Sequence, residues 1–134
     1  MDIPNNLKSL ATGFDSLIGV NIIELTPDGG YAQFNISDIF LQPQGIVHGG
    51  VYCSIIESLA SASGYLWLLE NGGKALFGVN NNTDFLISVN SGVLTATSIP
   101  IQRGLVQQLW LVTVSDEYKN LVSIGRVRMQ NICD

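Results

Sequence analysis

Hydrophobic and polar positions change their period along this chain, and the changes divide it into elements. Asn5 or Asn6 can cap a short helix through about residue 12 that places Leu7, Leu10 and Ala11 on one face, and Phe14, Leu17 and Ile18 anchor the link that follows. Residues 21–25 read as a first strand, and Pro27-Asp28-Gly29-Gly30 turns the chain. Over 31–36 the pattern alternates, with Ala32, Phe34 and Ile36 opposite Tyr31, Gln33 and Asn35, which predicts a half-buried strand in a hairpin with the first. Residues 51–69 are apolar or small almost throughout and predict a long helix buried on every side, stopped by Asn71-Gly72-Gly73. Four strands then follow at 75–87, 93–103, 106–115 and 121–131, with Pro100 implying an edge position or a bulge. Consecutive strands on short turns predict an antiparallel meander. The expected fold is a single α+β domain over 1–134: about six antiparallel strands wrapped around a central helix.

The centre of that helix carries the chemistry. Glu57 is the one charged residue between Ile46 and Leu69. An isolated carboxylate in an apolar helix is costly unless it is paired or becomes neutral. Upstream, His48-Gly49-Gly50 opens the helix, where backbone N–H groups lack helical partners and the dipole favours negative charge, so a developing oxyanion could be held there. Ser61 follows Glu57 by one helical turn and shares its face. Eight residues separate Gly49 from Glu57, a rise of about 12 Å. That is too far for both to act on one bond within one chain, so joint action requires two subunits.

Composition narrows the alternatives. A chain of 134 residues with 46% hydrophobic and only 13% charged residues has more apolar material than its own fold requires, which predicts an oligomer interface. A net charge of −5 and the lack of any Lys/Arg-rich block argue against nucleic acid as a partner. The 51–69 run carries Glu57 and four serines without basic flanks, which argues against a membrane span. The start lacks the basic and apolar regions of a signal peptide, and Cys53 and Cys133 form no disulfide framework, so a cytoplasmic location is expected. With one histidine and no clustered carboxylates, no metal site is expected. A serine-hydrolase reading lacks the Gly-x-Ser-x-Gly elbow.

The order of elements, the spaced set Gln42, His48, Gly49, Gly50, Glu57 and Ser61, and the strand Gly78-Val79-Asn80-Asn81-Asn82-Thr83 resemble the hotdog-fold acyl-CoA thioesterases. The likeness extends from about Phe14 to Ile132. It is greatest to the branch holding phenylacetate-pathway thioesterases, the Arthrobacter-type 4-hydroxybenzoyl-CoA thioesterase and the dihydroxynaphthoyl-CoA thioesterases of quinone biosynthesis. The resemblance implies hydrolysis of an acyl-CoA, aromatic or otherwise compact rather than long-chain, with no cofactor beyond the coenzyme A of the substrate. It implies that Glu57 attacks the thioester carbonyl or activates water, that the Gly49 N–H polarises the carbonyl, that Gln42 and His48 orient the thioester, and that Ser61 holds water or a substrate hydroxyl. Gly50, Asn82, Thr83, Arg103 and Gly104 are the implied substrate-binding positions. The resemblance further implies dimers whose sites take the Gln/His/Gly set from one subunit and the Glu/Ser set from the other, with two dimers pairing into a tetramer. Gln102 stands where the group commonly has His and Leu105 where it has a basic residue, which leaves Arg103 as the candidate phosphate contact.

Without the resemblance, Glu57 reads equally as a hydrogen-bonded or neutral carboxyl at a subunit seam, and His48 as a helix-start residue bonded to backbone. Ser61 reads as one of several small packing residues. Cys53 is expected to be a small buried hydrophobe rather than a nucleophile. Tyr52 and Phe85 are candidates for an acyl-pocket wall. The competing functions are a non-catalytic acyl-CoA-binding hotdog protein, a structural oligomer and a hotdog dehydratase.

Overall fold

The structure, a computed structural model, describes residues 13–134; the helix expected over residues 5–12 lies outside the described residues. A short helix α1 (Gly13–Ile18) leads into β1 (Asn21–Thr26) and β2 (Gly29–Asn35). A 3-10 turn (Asp38–Phe40) precedes the central helix α2 (Gly49–Glu70), and β3 (Ala75–Phe85), β4 (Val93–Arg103), β5 (Gln107–Ser115) and β6 (Leu121–Ile132) complete the chain. The six strands form one antiparallel sheet in the order β1-β2-β4-β5-β6-β3. This is the hotdog fold, a sheet curled around one helix.

Alternation decides which side of each strand meets α2. Leu94 and Ala96 of β4, Trp110, Val112 and Val114 of β5, and Val127 and Met129 of β6 are wholly buried and form one core with Ile55, Ile56 and Leu59 of the helix. Each buried Val, Leu, Ile or Met side chain among them contributes on the order of 1.5–3 kcal/mol. Polar atoms in this core are paired across elements. The Gln108 side-chain amide donates to the Gly64 carbonyl (3.1 Å) and to Asn131 Oδ1 (2.9 Å), and it accepts from Trp110 Nε1 (2.8 Å). The β1–β2 turn requires glycine: Gly29 has φ 132° and lies against the Ser98 carbonyl, where no side chain fits.

Two expectations are refined. Pro100 pairs in register with Trp110 beside an irregularity between Pro100 and Gln102, while β2 ends its pairing with β4 at Ser98. The proline therefore sits both at a bulge and where one side of β4 is free, so its missing N–H costs no ladder bond. The second refinement is a correction. Within one chain α2 is not buried on every side: Ile55, Ile56, Leu59, Ala60 and Leu66 face the sheet, whereas Gly50 and Glu57 are exposed and Cys53, Ser54, Ser58, Ser61 and Tyr65 are half-buried. The sheet curls over one side of the helix and stops at the β3 edge, leaving a small and polar stripe uncovered.

Candidate active site

The segment before α2 is shaped by its own backbone. Gln42 N–H donates to the Ile46 carbonyl (2.8 Å) and Gly45 N–H to the Gln42 carbonyl (2.8 Å), with Gly45 at φ 81° closing the turn. The Gln42 side-chain oxygen accepts from the Gln44 N–H, which leaves its NH2 group free to donate elsewhere. His48 is fixed next, its N–H donating to the Phe40 carbonyl at 2.8 Å.

His48 is the N-cap of α2, and its Nδ1 accepts from the Gly50 N–H at 2.8 Å. Nδ1 therefore carries no proton in the capping form, and the neutral ring presents its N–H at Nε2. The plain expectation of a helix-start residue bonded to backbone is thus realised, and it leaves a ring donor available. Gly49, the first residue of the helix, has an N–H with no acceptor among the described residues. A side chain at Gly49 would reach the Phe85 ring at 2.5 Å, so only glycine lets Phe85 lie against the helix start. Gly50 is constrained as well: a Cβ there would stand 3.0 Å from His48 Nδ1.

Glu57 lies two turns along α2 with its carboxyl over Gly78 of β3, 3.7 Å from where a Cβ of that glycine would be. It is exposed on the uncovered stripe. Ser61, one turn further, is half-buried there with no hydrogen-bond partner among the described residues. The helix is continuous from Gly49 to Glu70, so the rise of about 12 Å between Gly49 and Glu57 stands. One chain brings Gln42, His48, Gly49 and Gly50 together at the helix start and leaves Glu57 and Ser61 apart from them.

The remaining predicted positions separate further. Asn82 is exposed on β3, while Thr83 points to the helix side, its Oγ1 donating to Asn81 Oδ1 (2.6 Å). Arg103 and Gly104 lie at the other end of α2. Arg103 donates to Asp28 (2.7 Å) and to the Pro27 carbonyl (2.8 Å), and its guanidinium lies 5.9 Å from the Trp67 ring centre. Trp67 is eighteen residues beyond Gly49, about 27 Å along the helix. Gly104 donates to the Gln107 carbonyl (2.9 Å) and accepts from Asn131 Nδ2 (2.8 Å).

Sequence reasoning missed Asn81. Its Nδ2 donates to the Cys53 carbonyl at 2.9 Å, which ties β3 to the helical turn that carries Glu57. The signal was there: an asparagine run inside a strand is poor β material and needs a reason.

Two cavities flank the helix start beside an open cleft of about 490 Å³ lined by Gln42, Pro43, Gln44, His48 and Gly49. One of about 210 Å³ has Gln42, Val47, Gly49, Tyr52 and Phe85 in its wall. The other, of about 460 Å³, is lined by Phe14, Leu17, Ile39, Phe40 and Val51 with His48 at its rim. Among the described residues there is no cluster of His, Cys, Asp and Glu able to hold a metal, and no helix is long and apolar enough to cross a membrane.

Residues 44–123 match the family model of the thioesterase superfamily. A Mycobacterium tuberculosis protein named "Putative esterase Rv1847" is 49% identical over 120 residues, covering 89% of this chain and 86% of that protein. Its solved structure superposes with a TM-score of 0.87 and covers 89% of this chain and 95% of that one. The Haemophilus influenzae thioesterase HI1161 superposes with a TM-score of 0.88 at 29% identity, covering 98% of this chain and 91% of that chain. A Listeria monocytogenes 1,4-dihydroxy-2-naphthoyl-CoA hydrolase is 29% identical over 114 residues, 85% of this chain and 91% of that protein. The chain belongs to the thioesterase superfamily and is a thioester hydrolase.

Proposed function

We propose that the protein hydrolyses an acyl-CoA with a compact, aromatic acyl group, in sites shared between two subunits. The observation that carries this reading is the division of labour along α2: an unpartnered Gly49 N–H beside a cavity at the helix start, and an exposed carboxylate about 12 Å along the same helix. An antiparallel approach of two such helices would set Glu57 of one chain against Gly49 of the other. Two features support that pairing. The β3 edge is unpaired over 11 residues and shows exposed Phe77 and Val79, and the uncovered helix stripe lies beside it. Two dimers would then form the tetramer.

In the shared site the thioester carbonyl accepts a hydrogen bond from Gly49 N–H at the positive end of the helix, where the oxyanion forms. Glu57 of the other subunit attacks the carbonyl carbon or takes a proton from the attacking water, and coenzyme A leaves as the thiolate. The Gln42 NH2 and the His48 Nε2–H are donors that orient the thioester, and Ser61 holds water or a polar group of the acyl moiety. Asn82 and Gly50 border the path of the substrate. Arg103, with Gly104 beside it, would meet the CoA phosphate by exchanging Asp28 for it; the pair is exposed on the Asp28 side, where ion pairs are weak. The Listeria relative and the implied kinship with aromatic acyl-CoA thioesterases support an aromatic substrate.

The test is release of free CoA over a panel from acetyl and palmitoyl to benzoyl, phenylacetyl and hydroxynaphthoyl thioesters, with Glu57→Gln as control. Rapid cleavage of an aromatic member, lost in the control, is expected. Equal cleavage by the control would sink the assigned role of Glu57, and preference for palmitoyl-CoA would sink the substrate class.

A further inference from the structure

Arg103 makes the one ion pair among the described residues, and it uses a single nitrogen to do so. Nη1 donates both to Asp28 Oδ1 (2.7 Å) and to the Pro27 carbonyl (2.8 Å), while the guanidinium lies 5.9 Å from the Trp67 ring centre. A guanidinium has five N–H donors, and the three on Nε and Nη2 have no acceptor among the described residues. That open edge is one whose parallel N–H bonds match a phosphate. Trp67 stands ten residues beyond Glu57, about 15 Å along α2. Arg103 is therefore remote from the Gly49 of its own chain but within reach of the far end of a CoA whose thioester meets the Glu57 of that chain.

Asp28 has little room to withdraw when a phosphate arrives. Its N–H donates to Thr26 Oγ1 (3.1 Å), which in turn donates to the Gly29 carbonyl (3.0 Å). Gly29, at φ 132°, is wedged against the Ser98 carbonyl, so the turn is held on both sides of Asp28. With its backbone fixed and only two side-chain torsions, the Asp28 carboxylate stays beside Arg103 whether a phosphate takes the open edge or displaces it from Nη1. Two anions then share one guanidinium. The Asp28 side chain is 81% exposed, so their repulsion is that of neighbouring charges in a largely aqueous setting, worth about three- to tenfold in a binding constant.

We propose that Asp28 is a specificity-determining residue in CoA recognition: a resident anion on Arg103 that lowers affinity for the phosphate end of CoA, in the bound substrate and in the free CoA product alike. This rests on the reading of Arg103 as the phosphate contact and goes further by naming the residue that opposes it. Because Asp28 acts on charge, it weakens phosphate-bearing ligands and hastens the departure of CoA after hydrolysis.

The experiment is titration calorimetry with free CoA and 3′-dephospho-CoA as probes, on wild type, Asp28→Asn, Arg103→Gln, the double variant, and Glu24→Gln as a control for net charge at an exposed position. Asparagine has the shape of aspartate and can still accept from Nη1, and the Pro27 carbonyl remains in place, so neither the turn nor the position of Arg103 is at stake. Asp28→Asn should bind CoA about three- to tenfold tighter than wild type, with the gain shrinking at high ionic strength and absent when Arg103→Gln is also present. Glu24→Gln should change little. A gain of equal size for 3′-dephospho-CoA supports the proposal with the diphosphate at Arg103, and a smaller one supports it with the 3′-phosphate there. Unchanged or weaker CoA binding by Asp28→Asn, beside a clear loss in Arg103→Gln, would overturn the proposal alone and leave Asp28 as a mere anchor for Arg103. A gain that persists in the double variant, or one matched by Glu24→Gln, would overturn it as well. If Arg103→Gln binds CoA as wild type does, or if wild type binds none, the reading of Arg103 as the phosphate contact fails and the proposal falls with it.

Discussion

If the catalytic set is split between subunits, two individually inactive variants must rescue each other. Glu57→Gln removes the carboxylate, and Gln42→Ala removes a donor at the opposite helix start; both positions lie outside the buried core. General-base or nucleophile loss should lower kcat by about 10²–10⁴. Refolding the two variants together in equal amounts gives dimers in a statistical 1:2:1 ratio. Each mixed dimer has one site with both lesions and one with neither, because Gln42 and Glu57 of a single site come from different chains. Half the dimers therefore carry one intact site of two, and recovered activity should approach about a quarter of wild type. The assay is CoA release from the best thioester of the panel, with mixed dimers counted by a mass tag on one variant. The result that refutes the reasoning is tagged mixed dimers at the expected fraction with activity no higher than the parents' sum. That outcome would put Gln42 and Glu57 in one chain's site, against the rise of about 12 Å that separates Glu57 from Gly49, which shares a cavity wall with Gln42.

Other perturbations read single contacts. Gly125→Ala places a methyl 2.6 Å from Thr83 Oγ1 and 2.7 Å from Ile56 Cγ2 beneath the turn that carries Glu57; urea unfolding should show a loss of about 1–3 kcal/mol, and unchanged stability would mean that β6 and β3 yield easily. His48→Ala removes the helix cap and should cost about 1 kcal/mol in denaturant unfolding; a kcat loss well beyond tenfold at equal folding would show that the Nε2 donor acts on substrate. Asn81→Ala frees the Cys53 carbonyl from its strand contact, so stability should fall by about 1 kcal/mol, with kcat dropping more than KM rises if Glu57 loses its position. Tyr52 favours its neutral form in the fold, with the phenol raised to about 12 from the ordinary 10 by burial. Its contribution is complete below pH 10 and is lost as pH climbs toward 12, so wild type should lose melting temperature relative to Tyr52→Phe across that window and parallel it below.

How much of this was legible in the sequence depends on the range of the interaction involved. The alternation in β2 and β5 and the glycine-closed turns are local, and the strands stand within a few residues of where the pattern put them. The correction to Glu57 is of another kind. Sequence showed that residues 51–69 are too apolar to face water and inferred burial on all sides, whereas one sheet covers only part of the helix and leaves a stripe of serines, Cys53 and Glu57 outside. Periodicity cannot separate a face buried by the chain itself from one reserved for a second copy, since both exclude charge. The His48 cap was partly visible, because a polar residue before Gly-Gly at a helix start has a backbone N–H to satisfy. The asparagine run marked Asn81 as unusual, but which carbonyl it reaches, and that the Tyr52 hydroxyl reaches no partner among the described residues, depend on β3 and the segment after it folding back across the helix start. That difference has a chemical reading. On the proposed reading, a helix whose one carboxylate before its last residue is left outside its own sheet, and whose first N–H is left unbonded about 12 Å away, carries the two halves of an acyl-transfer site on one element, and neither half acts before two helices meet.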